Sequence, residues 1–140
     1  DALNSAIVKL NRYNGAILGD VVGLGKTIIA VGILKVLKYK SIIIAPPAIH
    51  KQWIKALEDF NIDKSLYDIF TYDKLPTENE SQIIIIDESH KLKNDKSTRY
   101  SKIEELCKTP FRKKVLLLSA TLQNNTPADI ANQIYLFQDK

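Results

Sequence analysis

Along the chain, short runs of aliphatic and β-branched residues alternate with stretches whose apolar positions recur every three or four residues. The runs are "AILG" at 16–19, "SIIIA" at 41–45, "YDIFTY" at 67–72, "IIIID" at 83–87 and "KVLLLSA" at 114–120. Their length and residue types predict strands. Helical spacing occupies the intervals: "KTIIAVGILKVLK" at 26–38, "AIHKQWIKALEDF" at 48–60, "STRYSKIEELCK" at 97–108 and "PADIANQIYLF" at 127–137. Local punctuation agrees. The first of these follows glycines directly, the second follows Pro46-Pro47, the third opens on a Ser/Thr cap, and the fourth starts on proline, which suits a first helical turn. Several strand runs are apolar at every position rather than at alternate ones, so both of their faces need cover. An α/β fold follows, with a parallel sheet between layers of helices. No repeat, low-complexity tract or linker divides the chain, which reads as one domain over 1–140.

Composition supports this without refining it. A chain of 140 residues that is 45% hydrophobic and 26% charged can bury a core, which excludes disordered and fibrous classes. The longest apolar stretches, such as "IIAVGIL" at 28–34, fall short of the ~20 residues of a membrane span. With no signal-like start, the reading is a soluble intracellular chain without a membrane partner, cytoplasmic in a bacterium or nuclear in a eukaryote. The single cysteine, Cys107, has no internal disulfide partner and reads as a half-buried helix residue; no Cys/His spacing suits a structural metal. The net charge of +4 is uneven, because 91–114 carry nine Lys/Arg against three Asp/Glu. That excess suits either a polyanion or a solvated helix face.

Candidate chemistry gathers where an open α/β sheet binds ligands, beyond the carboxyl ends of its strands. "GDVVGLGKT" follows the first run and leads into an apolar helix, which combines free backbone N–H groups with a helix N-terminus. Asp20, Gly23, Leu24, Gly25, Lys26 and Thr27 form the candidate nucleotide-binding loop, with Asp20 where a glycine usually opens the pattern. In it Lys26 is expected to reach the β/γ-phosphates and Thr27 to ligate Mg²⁺. The fourth run ends in "DESH", placing Asp87 and Glu88 at a strand tip. Asp87 suits Mg²⁺, and Glu88 suits orienting and deprotonating an attacking water. A helix cap would also use Asp-Glu-Ser, but a cap does not account for the Gly-Lys-Thr loop in the same chain. Lys26, Asp87 and Glu88 are therefore the candidate catalytic residues of a nucleotide-hydrolysing site that uses Mg²⁺.

With these residues in view, the chain resembles the superfamily 2 helicase and translocase ATPases, in particular their Swi/Snf-like branch. The resemblance spans nearly all of the chain. "GDVVGLGKT" is similar to motif I of that branch, in which Asp occupies the first position; "IIIAPPAIHKQW" resembles motif Ia, "DIFTYDKL" motif Ib, "DESHKLKN" motif II and "LLLSATLQNN" motif III. It implies a three-layer, RecA-like P-loop NTPase fold, ATP as the nucleotide, and a double-stranded DNA translocase in which ATP hydrolysis drives movement along DNA. It also implies that His90, Ser119 and Thr121 couple the γ-phosphate to nucleic acid, and that Pro46, Lys51 and Thr71 contact phosphates of one strand. Two positions depart from the family: Leu122 follows Thr121 where proline is usual, and Val21 stands where motif I has an acidic residue.

The resemblance further implies that 1–140 is the N-terminal ATP-binding lobe of a larger protein. The family's adenine-reading glutamine lies upstream of such a segment, and a second RecA-like lobe supplies an arginine finger. The isolated lobe is then expected to be nearly inactive. Alternatives are a DEAH-type unwinding helicase and a non-catalytic docking module, although Lys26, Thr27, Asp87 and Glu88 are all intact. A GTPase would need an Asn-Lys-x-Asp segment, which is not evident. Trp53 shares helical spacing with Leu57 and Phe60 and reads as core rather than as a base-stacking platform, and His50 is assigned no functional role.

Overall fold

Ile83 to Ile86 are buried completely, yet they face two ways: Ile83 and Ile85 pack in one hydrophobic cluster, Ile84 and Ile86 in another. They belong to the central strand of a five-stranded, all-parallel sheet. The computed structural model describes residues 1–19, 25–77, 80–89, 98–119 and 127–139. Its strands are β1 (Gly15–Leu18), β2 (Ser41–Ile44), β3 (Tyr67–Phe70), β4 (Ile83–Asp87) and β5 (Lys114–Leu118), arranged in the order β1-β5-β4-β2-β3. Helices α1 (Ala2–Tyr13), α2 (Lys26–Leu37) and α3 (His50–Asp59) contribute to the cluster with Ile43, Ile83, Ile85, Leu116 and Leu118. The opposite cluster joins Ile84, Ile86, Val115 and Leu117 to α4 (Thr98–Lys108) and to Leu136 and Phe137, just beyond α5 (Pro127–Ile134). The predicted three layers and parallel sheet are what forms.

Because both faces are apolar, alternation cannot fix the register; polar residues at the strand ends do so. Ser41 and Lys114 flank Ile83 at the amino edge, and Asp87 pairs with Leu118 at the carboxyl edge. Every expected strand and helix is present, with shifted ends. The "YDIFTY" strand stops at Phe70, and Thr71 bridges back to Lys74. Pro47 opens a 3₁₀ turn, Pro47–Ile49, so α3 starts at His50. The runs read from the sequence leave 1–14 unassigned, and this segment forms α1. Its signals are local: Asp1 accepts from the Asn4 N–H at 2.8 Å, Ala6 and Leu10 are buried, and Asn14 closes the helix in the left-handed region. Gly15 admits no side chain, because a Cβ there would lie 2.2 Å from Cγ of Phe137.

All five strands point the same way, so the segments carrying candidate chemistry leave from one edge. β5 lies between β1 and β4, which separates the strand before the Gly-Lys-Thr loop from the strand bearing Asp87 by about 10 Å. That gap accommodates a phosphate group with its metal.

Candidate nucleotide and metal site

The first wall of the site is the start of α2. Gly25 is its N-cap, makes no side-chain cap hydrogen bond, and no acidic residue occupies the first turn. Initial N–H groups of a helix have no partner one turn back, so this end carries partial positive charge. Lys26 and Thr27 are its first two residues. The space beside Gly25 is open, since a Cβ built there meets nothing within 4 Å. The segment therefore has the make-up of an anion site. Asp20, Gly23 and Leu24 lie outside the described residues.

The second wall is the end of β4. Asp87 is 7% exposed, and two N–H donors orient its carboxylate: the Trp53 indole reaches Oδ2 at 2.9 Å and the Glu88 amide reaches Oδ1 at 2.8 Å. Burial raises the pKa of Asp87 above the ordinary carboxylate range and the Glu88 charge adds to this, whereas the two hydrogen bonds and the Lys26 ammonium act in the opposite direction. Asp87 thus senses the Lys26 charge across the gap. Each carboxylate oxygen has a further lone pair, and a hard oxygen donor of this kind suits Mg²⁺.

Glu88 has φ of 57°, a left-handed conformation that costs a non-glycine residue about 1–2 kcal/mol. Strain of this kind persists only where neighbours hold it. Tyr72 is one such neighbour: its hydroxyl donates to the carbonyls of Asp87, at 2.5 Å, and Glu88, at 3.2 Å. Burial first, then the charges of Asp87 and Glu88, keep that phenol protonated, against the influence of Arg99. From the other side Ser89, fully buried, donates to Oε1 of buried Gln133 at 2.6 Å, which fastens the segment after β4 to α5.

Between the walls stands Ser119, immediately after β5. Its N–H donates to the Leu18 carbonyl at 3.0 Å and joins the tips of β5 and β1. Its side chain is buried, and its Oγ has no hydrogen-bond partner among the described residues. An unpaired buried hydroxyl costs about 1–3 kcal/mol. One at this location fits a site whose polar partner is a ligand. His90 and Thr121 lie outside the described residues.

Pro46, Lys51 and Thr71 lie along the same edge, further from β1. Pro46 follows β2, Lys51 is exposed in the first turn of α3, and Thr71 follows β3. The Ala45 N–H donates to the Phe70 carbonyl at 2.9 Å, so the segments bearing Pro46 and Thr71 leave the sheet side by side. His50 is structural, its Nε2 lying 2.8 Å from the Ala45 carbonyl oxygen. Trp53 is core, as its spacing implies, but its N–H on Asp87 also places it in the site, a role that periodicity does not disclose. The available signal is general: a buried indole N–H needs an acceptor.

The basic stretch 91–114 is not a single face. Lys91, Lys93 and Lys96 lie outside the described residues. Arg99 pairs with Asp73 at the carboxyl edge, and Lys108 pairs with Glu104 within α4. Arg112, Lys113 and Lys114 lie at the amino edge, remote from the site: Arg112 pairs with Asp139, buried Lys113 donates to the Thr109 carbonyl, and Lys114 donates to that of Leu10. Among the described residues of the stretch, these five basic side chains have partners within the fold. Cys107, expected to be half-buried, is buried fully in α4, and among the described residues no helix is long and apolar enough to cross a membrane.

A parallel sheet with a lysine-bearing helix start after β1 and an acidic pair after β4 defines a RecA-like P-loop NTPase fold. A solved structure with a similar fold is the SWI2/SNF2 ATPase core of Sulfolobus solfataricus in complex with dsDNA, with a TM-score of 0.79 and 21% identity over 98% of this chain and 34% of that one. No protein-family model matches. In sequence the chain is 32% identical over 155 residues to the uncharacterized ATP-dependent helicase YqhH of Bacillus subtilis, covering 92% of this chain and 27% of the relative. It is 32% identical over 158 residues to the SWI/SNF-related matrix-associated actin-dependent regulator of chromatin subfamily A-like protein 1 of Xenopus tropicalis, covering 96% and 16%. The DNA repair and recombination protein RAD54-like of Drosophila willistoni is 28% identical over 163 residues, covering 84% and 20%. Within the P-loop class the chain's relatives are SWI/SNF-related ATP-dependent helicases and remodellers, in line with the resemblance of its motifs. It spans about a quarter or less of the length of these relatives.

Proposed function

We propose that this chain is the N-terminal ATP-binding lobe of a Swi/Snf-type, ATP-dependent double-stranded DNA translocase. The observation that carries the reading is the pairing, across β5, of an uncapped helix start bearing Lys26 and Thr27 with the hydrogen-bonded Asp87 and adjacent Glu88. Lys26 and the α2 N-terminus bind the phosphates of ATP. Thr27 and Asp87 hold Mg²⁺, which when bound neutralises charge on the phosphate oxygens. Glu88 orients the attacking water and accepts its proton, while Trp53 and Tyr72 fix the Asp87–Glu88 segment.

A second RecA-like lobe of the same polypeptide supplies an arginine to the transferring phosphoryl group. Such a residue is worth about 10³–10⁵ in rate, so the lobe by itself binds Mg-nucleotide and hydrolyses it barely. Pro46, Lys51 and Thr71 contact the DNA backbone without reading sequence, and Ser119, with His90 and Thr121, relays the state of the γ-phosphate to that contact. Affinity for DNA therefore falls steeply with salt. The test is steady-state ATPase of the full-length protein with duplex DNA, single-stranded DNA or RNA, and Glu88→Gln as control. Stimulation chiefly by duplex DNA, absent in Glu88→Gln, is expected; stimulation chiefly by RNA would replace the translocase reading with a DEAH-type helicase.

A further inference from the structure

Arg99, in the first turn of α4, takes no part in the chemistry assigned above, yet it contacts the apparatus that holds Glu88. Its guanidinium carbon lies 5.3 Å from the centroid of the Tyr72 ring, and its Nη2 donates to Oδ1 of Asp73 at 3.2 Å. The ion pair is open to solvent, with side-chain exposures of 42% for Arg99 and 84% for Asp73. An exposed pair contributes about 0–1 kcal/mol, too little to make it a structural necessity. It is also easily displaced, because a phosphate diester offers the planar guanidinium two oxygens in a matched fork. Asp73 is two residues beyond Thr71, on the edge where β3 ends. The other end of Tyr72 is buried against the carbonyls of Asp87 and Glu88.

These contacts form a chain from solvent to the backbone of the candidate catalytic pair: guanidinium on ring, hydroxyl on the carbonyls of Asp87 and of left-handed Glu88. We propose that Arg99 is a DNA backbone-phosphate contact exchanged from Asp73, and that Tyr72 is a positioning residue carrying its engagement to the Asp87–Glu88 segment. The inference rests on the translocase reading and supplies it with a route by which DNA stimulates hydrolysis. In the DNA-free state Asp73 holds Arg99. When a phosphate takes the guanidinium, the cap on the Tyr72 ring shifts and the restraint on Glu88 shifts with it, so the free energy of coupling between the two sites passes through one hydroxyl.

The experiment uses the full-length protein, a mixed-sequence duplex DNA and three variants. Arg99→Ala is expected to weaken DNA binding and to reduce the slope of log affinity against log salt by about 0.9, one phosphate contact. Asp73→Asn removes the competitor at an exposed position where folding is not at risk, and is expected to tighten DNA binding. Tyr72→Phe keeps the ring and loses only the hydroxyl; DNA affinity is expected to stay near wild type while the ratio of DNA-stimulated to basal turnover falls several-fold. Equal proportional loss of basal and stimulated turnover in Tyr72→Phe would reduce Tyr72 to a structural role and overturn the coupling. An unchanged salt slope in Arg99→Ala, or unchanged binding in Asp73→Asn, would overturn the phosphate contact. A wild-type protein that no nucleic acid stimulates defeats the translocase reading itself, and this is seen before any variant is made.

Discussion

Replacing Trp53 with phenylalanine removes one of two N–H donors from the Asp87 carboxylate and leaves a void where part of the indole lay. Trp53 has no solvent exposure, so water does not replace the lost donor freely. A hydrogen bond to a charged group is worth about 1.5–3 kcal/mol, and the void adds about 1–2 kcal/mol. The expected loss is about 2.5–5 kcal/mol, against a typical domain stability of about 5–15 kcal/mol, so the variant stays folded but weakened. Asp87→Asn isolates the ionic part, because a neutral amide oxygen still accepts from the indole at about 0.5–1.5 kcal/mol.

Together the two substitutions make a double-mutant cycle with a coupling of about 1–1.5 kcal/mol. Asp87→Asn has its own signature. Burial places the folded-state pKa of Asp87 above its unfolded value, so the folded state is disfavoured as pH rises through that folded pKa, and by neutral pH the ionised carboxylate is a net cost. In the absence of nucleotide Asp87→Asn should therefore be more stable than wild type at neutral pH, with the gain disappearing below the ordinary carboxylate range. The assay is urea unfolding followed by far-UV circular dichroism at both pH values. A coupling under about 0.3 kcal/mol, or an Asp87→Asn variant less stable at neutral pH, would refute the reasoning.

Three further outcomes are open to measurement. Lys26→Ala should abolish Mg-nucleotide binding in titration calorimetry while leaving the unfolding midpoint nearly unchanged, since Lys26 lies at a helix start outside the core. Burial pushes the Cys107 thiol up to about 12, so it stays neutral and should resist alkylation in the native protein until denaturant exposes it; rapid labelling without denaturant would contradict its place in α4. Gly15→Ala forces the Phe137 ring off β1 and should lower stability by about 1–3 kcal/mol, read as a shift in urea midpoint.

What the sequence made legible was local. The strands were readable because residues such as Ile83–Ile86 are apolar on both faces, and the candidate nucleotide loop stands out because its glycines, lysine and threonine lie within five residues. Pairings between distant segments were not readable. Trp53 and Asp87 are 34 residues apart, and Tyr72 and Glu88 are 16 apart. Nothing in either segment names the other, although a buried Trp and a buried Tyr each demand an acceptor. The basic stretch left its role open for the same reason: a run of charge is contiguous in sequence, but α4 carries it from one sheet edge to the other. Segment 1–14 had capping and spacing for a helix, yet no neighbouring chemistry drew attention to it.

The order of strands also bears on how the protein comes into being. Among the described strands β1 pairs only with β5, with Gly15 against Val115, so it waits a hundred residues for that partner. During synthesis β4 is likewise open along one side until β5 inserts. Pairing this remote in sequence is slow, and it leaves two apolar edges free to meet other chains in the meantime. The gap between the strand that precedes α2 and the strand bearing Asp87 is set by the thickness of that late strand. On the proposed function, a nascent chain stalled before Lys114 holds Lys26 and Asp87 with nothing to space them and is expected not to bind Mg-nucleotide.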